Sequence, residues 1–152
     1  MPYGESEARQ ELLEALGEAT DQLAQALASL GAAYEQLDDQ QAERLEDQLF
    51  RPVQRAYGRA RRTYSEFANR YDLSAREFTM PSPGVPSTGV KGFIQSAVDA
   101  VERAESELVA LQESSVAIEV GDVELRSGLS EVRRLLDGLS AHARLFVRSF
   151  GR

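Results

Sequence analysis

The sequence contains no cysteine, and this excludes a disulfide framework, a thiolate nucleophile and a zinc ribbon. It has a single histidine, His142, with Leu139 three residues before it. A ferritin-like di-iron centre needs Glu-x-x-His from two helices, so that chemistry is excluded too. His142 adjoins the core position Ala143 and is expected at the core's edge, one ring nitrogen in water. Long apolar runs are also missing. No stretch approaches the roughly 18 residues of a membrane span, and the opening MPYGESEARQ has neither a basic region nor an apolar one. A soluble, cytoplasmic protein is expected. No segment alternates with period two long enough to propose a strand.

What the chain does have is length, charge and a helical period. A chain of 152 residues makes one ordinary domain. Folding buries roughly 68–70% of the surface such a chain exposes when unfolded, so neither metal nor disulfide is required. The net charge of −8 is unevenly spread. Residues 1–50 carry twelve acids against two arginines, residues 51–76 carry seven arginines against two acids, and residues 77–152 carry eleven acids against eight bases. An acidic whole argues against nucleic-acid binding, although one basic segment stands out.

Apolar residues recur in steps of four and three. Leu12, Leu16, Ala19, Leu23, Ala26, Leu30, Ala33 and Leu37 form one such stripe, Val90 to Leu111 a second, and Leu125 to Phe150 a third. That spacing keeps one face toward a partner helix, as in a bundle or coiled coil. Asp38, with Gln41 three residues on, reads as the N-cap and capping box of a second helix. Its core positions include Ala42, Leu45, Leu49, Val53 and Ala56, with two successive steps of four beside Pro52. A mid-helix proline clashes with the carbonyl four residues back, here Gln48, so a kink is expected. In SSVAIEVGDVEL the stripe count continues through Gly121-Asp122, but an aspartate at a core position favours a break there. The expected fold is all-α: an antiparallel, up-down-up-down four-helix bundle with long amphipathic helices at about 5–37, 39–74, 89–116 and 123–150.

Thr79 to Phe93, TMPSPGVPSTGVKGF, holds three of the five prolines and the single lysine, Lys91. It nearly spells the phosphate-binding loop GxxxxGK[ST]. Val90 stands where the lysine should be, a helix precedes it in place of a strand, and Pro83 and Pro86 have no N–H to offer. It reads as a connector of eleven to thirteen residues, with Thr88 capping the next helix. Stretched, such a connector spans roughly 40 Å, less than the second helix, so the third helix is expected to begin where the second finishes.

The carboxylates do not assemble a site either. Glu11-x-x-Glu14 and Glu35-x-x-Asp38 imitate the metal motif of helical pyrophosphohydrolases, but Glu14 and Glu35 lie about 31 Å apart on one helix. They read as a solvated acidic face, and no catalytic residue, cofactor or metal is expected.

The second helix carries the remaining signals. Phe50, Tyr57, Tyr64 and Tyr71 repeat every seven residues and form a column beside the core stripe. Arg51, Arg55, Arg59 and Arg62 line the other flank. On the first reading the tyrosines widen the buried face and the arginines pair with the acidic first helix. On the second, the tyrosine column meets another subunit, giving a possible homodimer, and the arginines meet an anionic surface.

LEDQLFRPVQRAYGRARRTYSEFANRYDLS resembles the second helix of BAR domains, which often carry a Phe-x-x-Pro-Leu kink before a basic, tyrosine-bearing stretch. Phe50 stands two residues before Pro52 instead of three, and Val53 replaces the leucine. SEVRRLLDGLSAHARLFVRSF resembles the end of the last helix of that family. The resemblance implies a kinked helical dimer that binds anionic membranes, with Arg51, Arg55, Arg59 and Arg62 matching its basic character. The chain is shorter than BAR domains usually are, and its first helix is acidic. The residues themselves favour a non-enzymatic interaction or scaffold module that binds a protein partner or itself. The BAR-like membrane dimer is the alternative.

Overall fold

The structure is a computed structural model that describes residues 4–84 and 89–150, the side chain of Phe150 excepted. Thr88, the expected cap, lies outside the described residues. The protein is all-α, and no strand occurs among the described residues. Its helices are α1 (Glu5–Glu35), α2 (Asp39–Leu45), α3 (Arg51–Arg70), α4 (Gly89–Glu113), α5 (Ser115–Val120), α6 (Val123–Leu136) and α7 (Leu139–Phe150). A π-helical turn, Glu46–Phe50, joins α2 to α3.

Apolar stripes close the core. Leu16, Leu23 and Leu30 of α1 meet Leu49, Val53 and Phe67, Ile94 and Leu108, and Leu129 and Phe146, all 1% exposed or less. Asp38 caps α2 by accepting the Gln41 N–H at 2.8 Å. From Leu45 to Arg51 every cap residue keeps right-handed helical angles, and the Arg51 N–H donates to Glu46 O, five residues back. Proline lacks an N–H and crowds the preceding turn, and a widened π turn relieves both defects. The wider turn also absorbs one residue, so Leu45, Leu49 and Val53, spaced by four twice, all stay buried.

Helix α3 ends at Arg70, four residues before the expected boundary. Asp72 takes a left-handed conformation (φ 53°), and the Leu73 N–H donates to Ala68 O at 2.9 Å. That is a Schellman closure with aspartate in the place glycine usually holds. Eighteen residues, 71–88, therefore separate α3 from α4.

The first of those residues form a strap along α1. Gln10 brackets the Ser74 backbone with two 2.9 Å hydrogen bonds, the Arg76 guanidinium meets Asp21 at 2.7 Å, and Gln25 donates to Ser82 O at 3.3 Å. The contacts advance up α1 as the strap advances. Gly89 then starts α4 beside Gln36, just past the far end of α1. Helix α4 runs back down α1, with Arg103 donating to Gln22 at 3.1 Å and Arg9 to Val120 O at 3.1 Å. Helices α6 and α7 return against α3 and α2, pairing Asp122 with Arg70, Glu131 with Arg59 and Ser149 with Arg44.

These pairings correct the expected up-down-up-down order. The second and third helical rods run in the same direction, and the strap crosses the length of the molecule between them. The reason is reach: eighteen residues extend to about 60 Å, more than the about 40 Å from Arg9 to Gln36 along α1.

The last two expected helices are also cut more often than anticipated. Ser114 accepts the Ala117 N–H at 3.1 Å and starts α5, where one helix over 89–116 was expected. Asp122 accepts the Leu125 N–H at 2.7 Å and starts α6. The expected helix over 123–150 breaks at Asp137-Gly138, where Gly138 supplies a left-handed φ of 78°.

Candidate interaction surfaces

The aromatic column lies mostly inside the fold. Tyr57 and Tyr64 are 8% and 3% exposed, while Phe50 and Tyr71 are half-buried. The Tyr64 hydroxyl accepts the Arg76 N–H at 3.0 Å, and its ring meets Phe78 edge-on at 4.8 Å. It pins the strap. Tyr71 donates its hydroxyl to Asp122 at 2.9 Å and carries the Arg9 guanidinium 4.0 Å above its ring. Within one chain the column already joins α1, α3, the strap and α6.

The arginine row is largely committed as well. Arg51 meets Asp47 at 2.7 Å and Glu46 at 3.6 Å, Arg59 meets Glu131 at 3.0 Å, and Arg62 meets Glu66 at 3.9 Å. Arg55 is exposed and has no ion pair among the described residues. None of these partners belongs to α1, so the expected pairing with the acidic first helix is not made by this row. Among the described residues, the arginine from outside α1 that pairs with one of its carboxylates is Arg76 of the strap, with Asp21.

Two polar ties between helices were not anticipated as such. At one end Arg70 grips Asp122 with bonds of 2.7 and 2.9 Å. Burial would raise the Asp122 carboxyl, but the Arg70 guanidinium, the Leu125 N–H and the Tyr71 hydroxyl together hold it below its ordinary value. The hydrogen bond to that carboxylate, with burial adding to it, raises Tyr71. In mid-molecule Thr63 accepts from Arg59 at 2.8 Å, and Glu131 accepts from Arg59 and, at 2.6 Å, from Arg134. These two arginines hold Glu131 below the usual carboxylate range. Asp122 was visible in the sequence as a polar residue at a core position. Gly128, which lets Thr63 approach α6, carried no signal of its own.

No acid–base or metal constellation forms among the described residues. No group of three His, Cys, Asp or Glu there is placed to hold a metal ion. Glu14, Glu35 and His142 are exposed and apart. Burial raises Glu107, with Glu18 and Asp21 adding to the effect, but no histidine or lysine stands beside it to take a proton.

Between α4 and α7 the surface is different. A groove of about 710 Å³ is floored by Ile94, Val98, Ala143 and Val147 and edged by Lys91, Arg144 and Arg148. Leu145, on a different face of α7, is 57% exposed. Comparison of the chain with protein-family models, curated proteins and solved structures gives no match. No helix among the described residues is long and apolar enough to cross a membrane.

Proposed function

We propose that the protein is a non-enzymatic interaction module: a four-rod helical bundle that presents a fixed surface to a protein partner. The observation that carries this reading is the contrast between its polar groups and its apolar surface. Several partly buried ionic groups tie one helix to another, as in Arg70–Asp122 and Arg59–Glu131, although one Glu107 carboxylate oxygen is buried without a partner among the described residues. The apolar floor between α4 and α7, by contrast, has no covering element among the described residues. An open apolar furrow with a polar rim is the usual anatomy of a docking site.

Site-specific photo-crosslinking tests this. A benzophenone amino acid placed at Gln95 on the rim of this furrow, at Arg55 or at Glu14 samples three exposed faces. A discrete adduct at one face and none at the others is the expected outcome. Absence of adducts at all three would remove the reading.

The BAR-like alternative, a dimer binding anionic lipid through Arg51, Arg55, Arg59 and Arg62, draws less support. Three of the four arginines face carboxylates, and an arginine near an anionic leaflet contributes about 1 kcal/mol only while its charge is free to act. No co-sedimentation with anionic liposomes is expected at physiological salt. Clear, salt-sensitive sedimentation lost on Arg55→Glu with Arg59→Glu would reverse the preference.

A further inference from the structure

We infer that the α4–α7 groove receives an acidic amphipathic helix of a partner protein, an assignment that rests on the interaction-module reading above. The shape comes from spacing. Ile94 and Val98 on α4, and Ala143 and Val147 on α7, are i, i+4 pairs, so each helix offers a ridge about 6 Å long. Ile94 and Ala143 sit at the bottom, 1% exposed, and Val98 and Val147 form half-buried walls. The small side chain of Ala143 leaves the furrow open. A third helix presenting apolar residues at i, i+3 or i+4, and i+7 fits such a furrow as a ridge fits between two others.

Charge selects the kind of helix. Lys91, Arg144 and Arg148 edge the groove and form no ion pair among the described residues, in a chain whose net charge is −8. The one carboxylate on the rim, Glu102, accepts from Ser140 at 3.3 Å. Three free cations around an apolar floor attract Asp and Glu flanking an apolar stripe and repel a basic helix.

A second copy of this chain fits poorly. Two-fold pairing of the groove with itself would set the same three cations against their own copies. The acidic surface of α1 exposes one large hydrophobic side chain among the described residues, Tyr34 near its C-terminal end, so it offers no apolar stripe with which to fill the floor. A lipid surface needs apolar groups that protrude, and here the apolar floor is recessed; the large hydrophobic exposed among the described side chains of α7, Leu145, lies on another face.

The probe is a fluorescein-labelled, 18-residue designed helix with leucine at the stripe positions and glutamate flanking them. Its control carries lysine in place of glutamate. Fluorescence polarisation with the full chain is expected to show saturable, salt-sensitive binding of the acidic peptide only. Arg144→Glu with Arg148→Glu, both at exposed positions, should weaken binding at least tenfold with unchanged circular dichroism. Val147→Glu should weaken it as well, and Arg62→Glu, on another face, should not. Equal binding of both peptides, no binding, or indifference to the Arg144/Arg148 pair would overturn the assignment. Sedimentation with phosphatidylserine vesicles that the same pair abolishes would make the groove a lipid face. A dimer in ultracentrifugation that the pair dissociates would make the occupant a second copy, and either result would overturn the assignment. Photo-crosslinks at Arg55 or Glu14 with none at Gln95 would leave the interaction reading standing without this groove. Their absence everywhere would remove both.

Discussion

Gly128→Ala puts the packing of α6 on α3 to a direct test. A Cβ at Gly128 would stand 2.6 Å from Thr63 Cγ2 and 3.0 Å from its Cβ, and closer still to Oγ1. Real methyl groups do not approach so closely, so something must move. Thr63 is 2% exposed, and its hydroxyl donates to Arg59 O at 2.9 Å while accepting from the Arg59 guanidinium at 2.8 Å. It cannot rotate away without breaking both bonds. In a free helix the substitution would stabilise by about 1 kcal/mol, because alanine has the better propensity. Overpacking costs about 1–3 kcal/mol, and a lost buried hydrogen bond about 1 kcal/mol more. The net expectation is a loss of about 1–3 kcal/mol, seen as a lower urea midpoint at unchanged slope and a Tm lower by about 2–4 °C per kcal/mol. Thr63→Ala should rescue in part, since it removes Oγ1 and Cγ2. The double variant should then be less destabilised than the sum of the singles, the coupling expected of residues in contact. A Gly128→Ala protein as stable as the parent, or more so, would refute this helix contact.

Other perturbations follow from the same geometry. Asp122→Asn should cost about 2 kcal/mol through the weakened bonds to Arg70, Tyr71 and the Leu125 N–H, measured by chemical unfolding at pH 7. Because the folded carboxyl lies below its ordinary value near 3.8, its stabilisation is present above that pH and is lost as pH falls through the folded value. The gap between parent and variant should therefore narrow in acid, and a gap constant from pH 7 to 2 would contradict the ion pair. Tyr64→Phe removes the acceptor of the Arg76 N–H and should quicken proteolytic cleavage in 74–84 while lowering global stability by about 1 kcal/mol. Pro52→Ala should leave helix content equal or slightly higher by circular dichroism, since the residues on both sides of the π turn are already helical. A marked loss of helix would show that the proline helps to form the turn.

The parts of this fold legible in the sequence were those that obey a local rule. The four-and-three stripes predict helices because burial of one face repeats with the helical period, and Asp38 and Asp122 signal starts because their side chains satisfy nearby N–H groups. The extra residue beside Pro52 was legible as two steps of four, although its outcome, a π turn, depends on which carbonyls the widened backbone can reach. What escaped were the terminations. Asp72 in a left-handed conformation stops α3, yet nothing in RYDLS demands that an aspartate adopt it. That boundary is not what allows the crossover: Ser74 already lies beside Gln10, and the fourteen residues 75–88 extend to about 46–50 Å, more than the roughly 40 Å they cross. The break at Gly138 was hidden for a related reason. Leu136 and Leu139 remain buried across it, so the stripe continues through a backbone that does not.

The candidate surfaces show the same division. Sequence spacing groups Tyr57, Tyr64 and Tyr71 as a column, but a column beside the core stripe faces outward only if no other element covers it. Here the strap and α6 cover it, and both are brought there by the crossover. The arginine row was legible as a row, whereas its partners depended on which helix lay alongside. With the second and third rods parallel, α6 is the neighbour of α3, and Glu131 and Asp122 receive Arg59 and Arg70. The acids of α1 are thereby left largely to solvent, and α4 is left to share its outer edge with α7. The groove between them owes its existence to the topology. No motif on α4 or α7 announces it, since Ile94, Val98, Ala143 and Val147 are ordinary stripe and flank residues in the sequence. It becomes a surface only because the strap has delivered α4 to the corner between α1 and α7, with Lys91 at its first turn and Arg144 and Arg148 opposite.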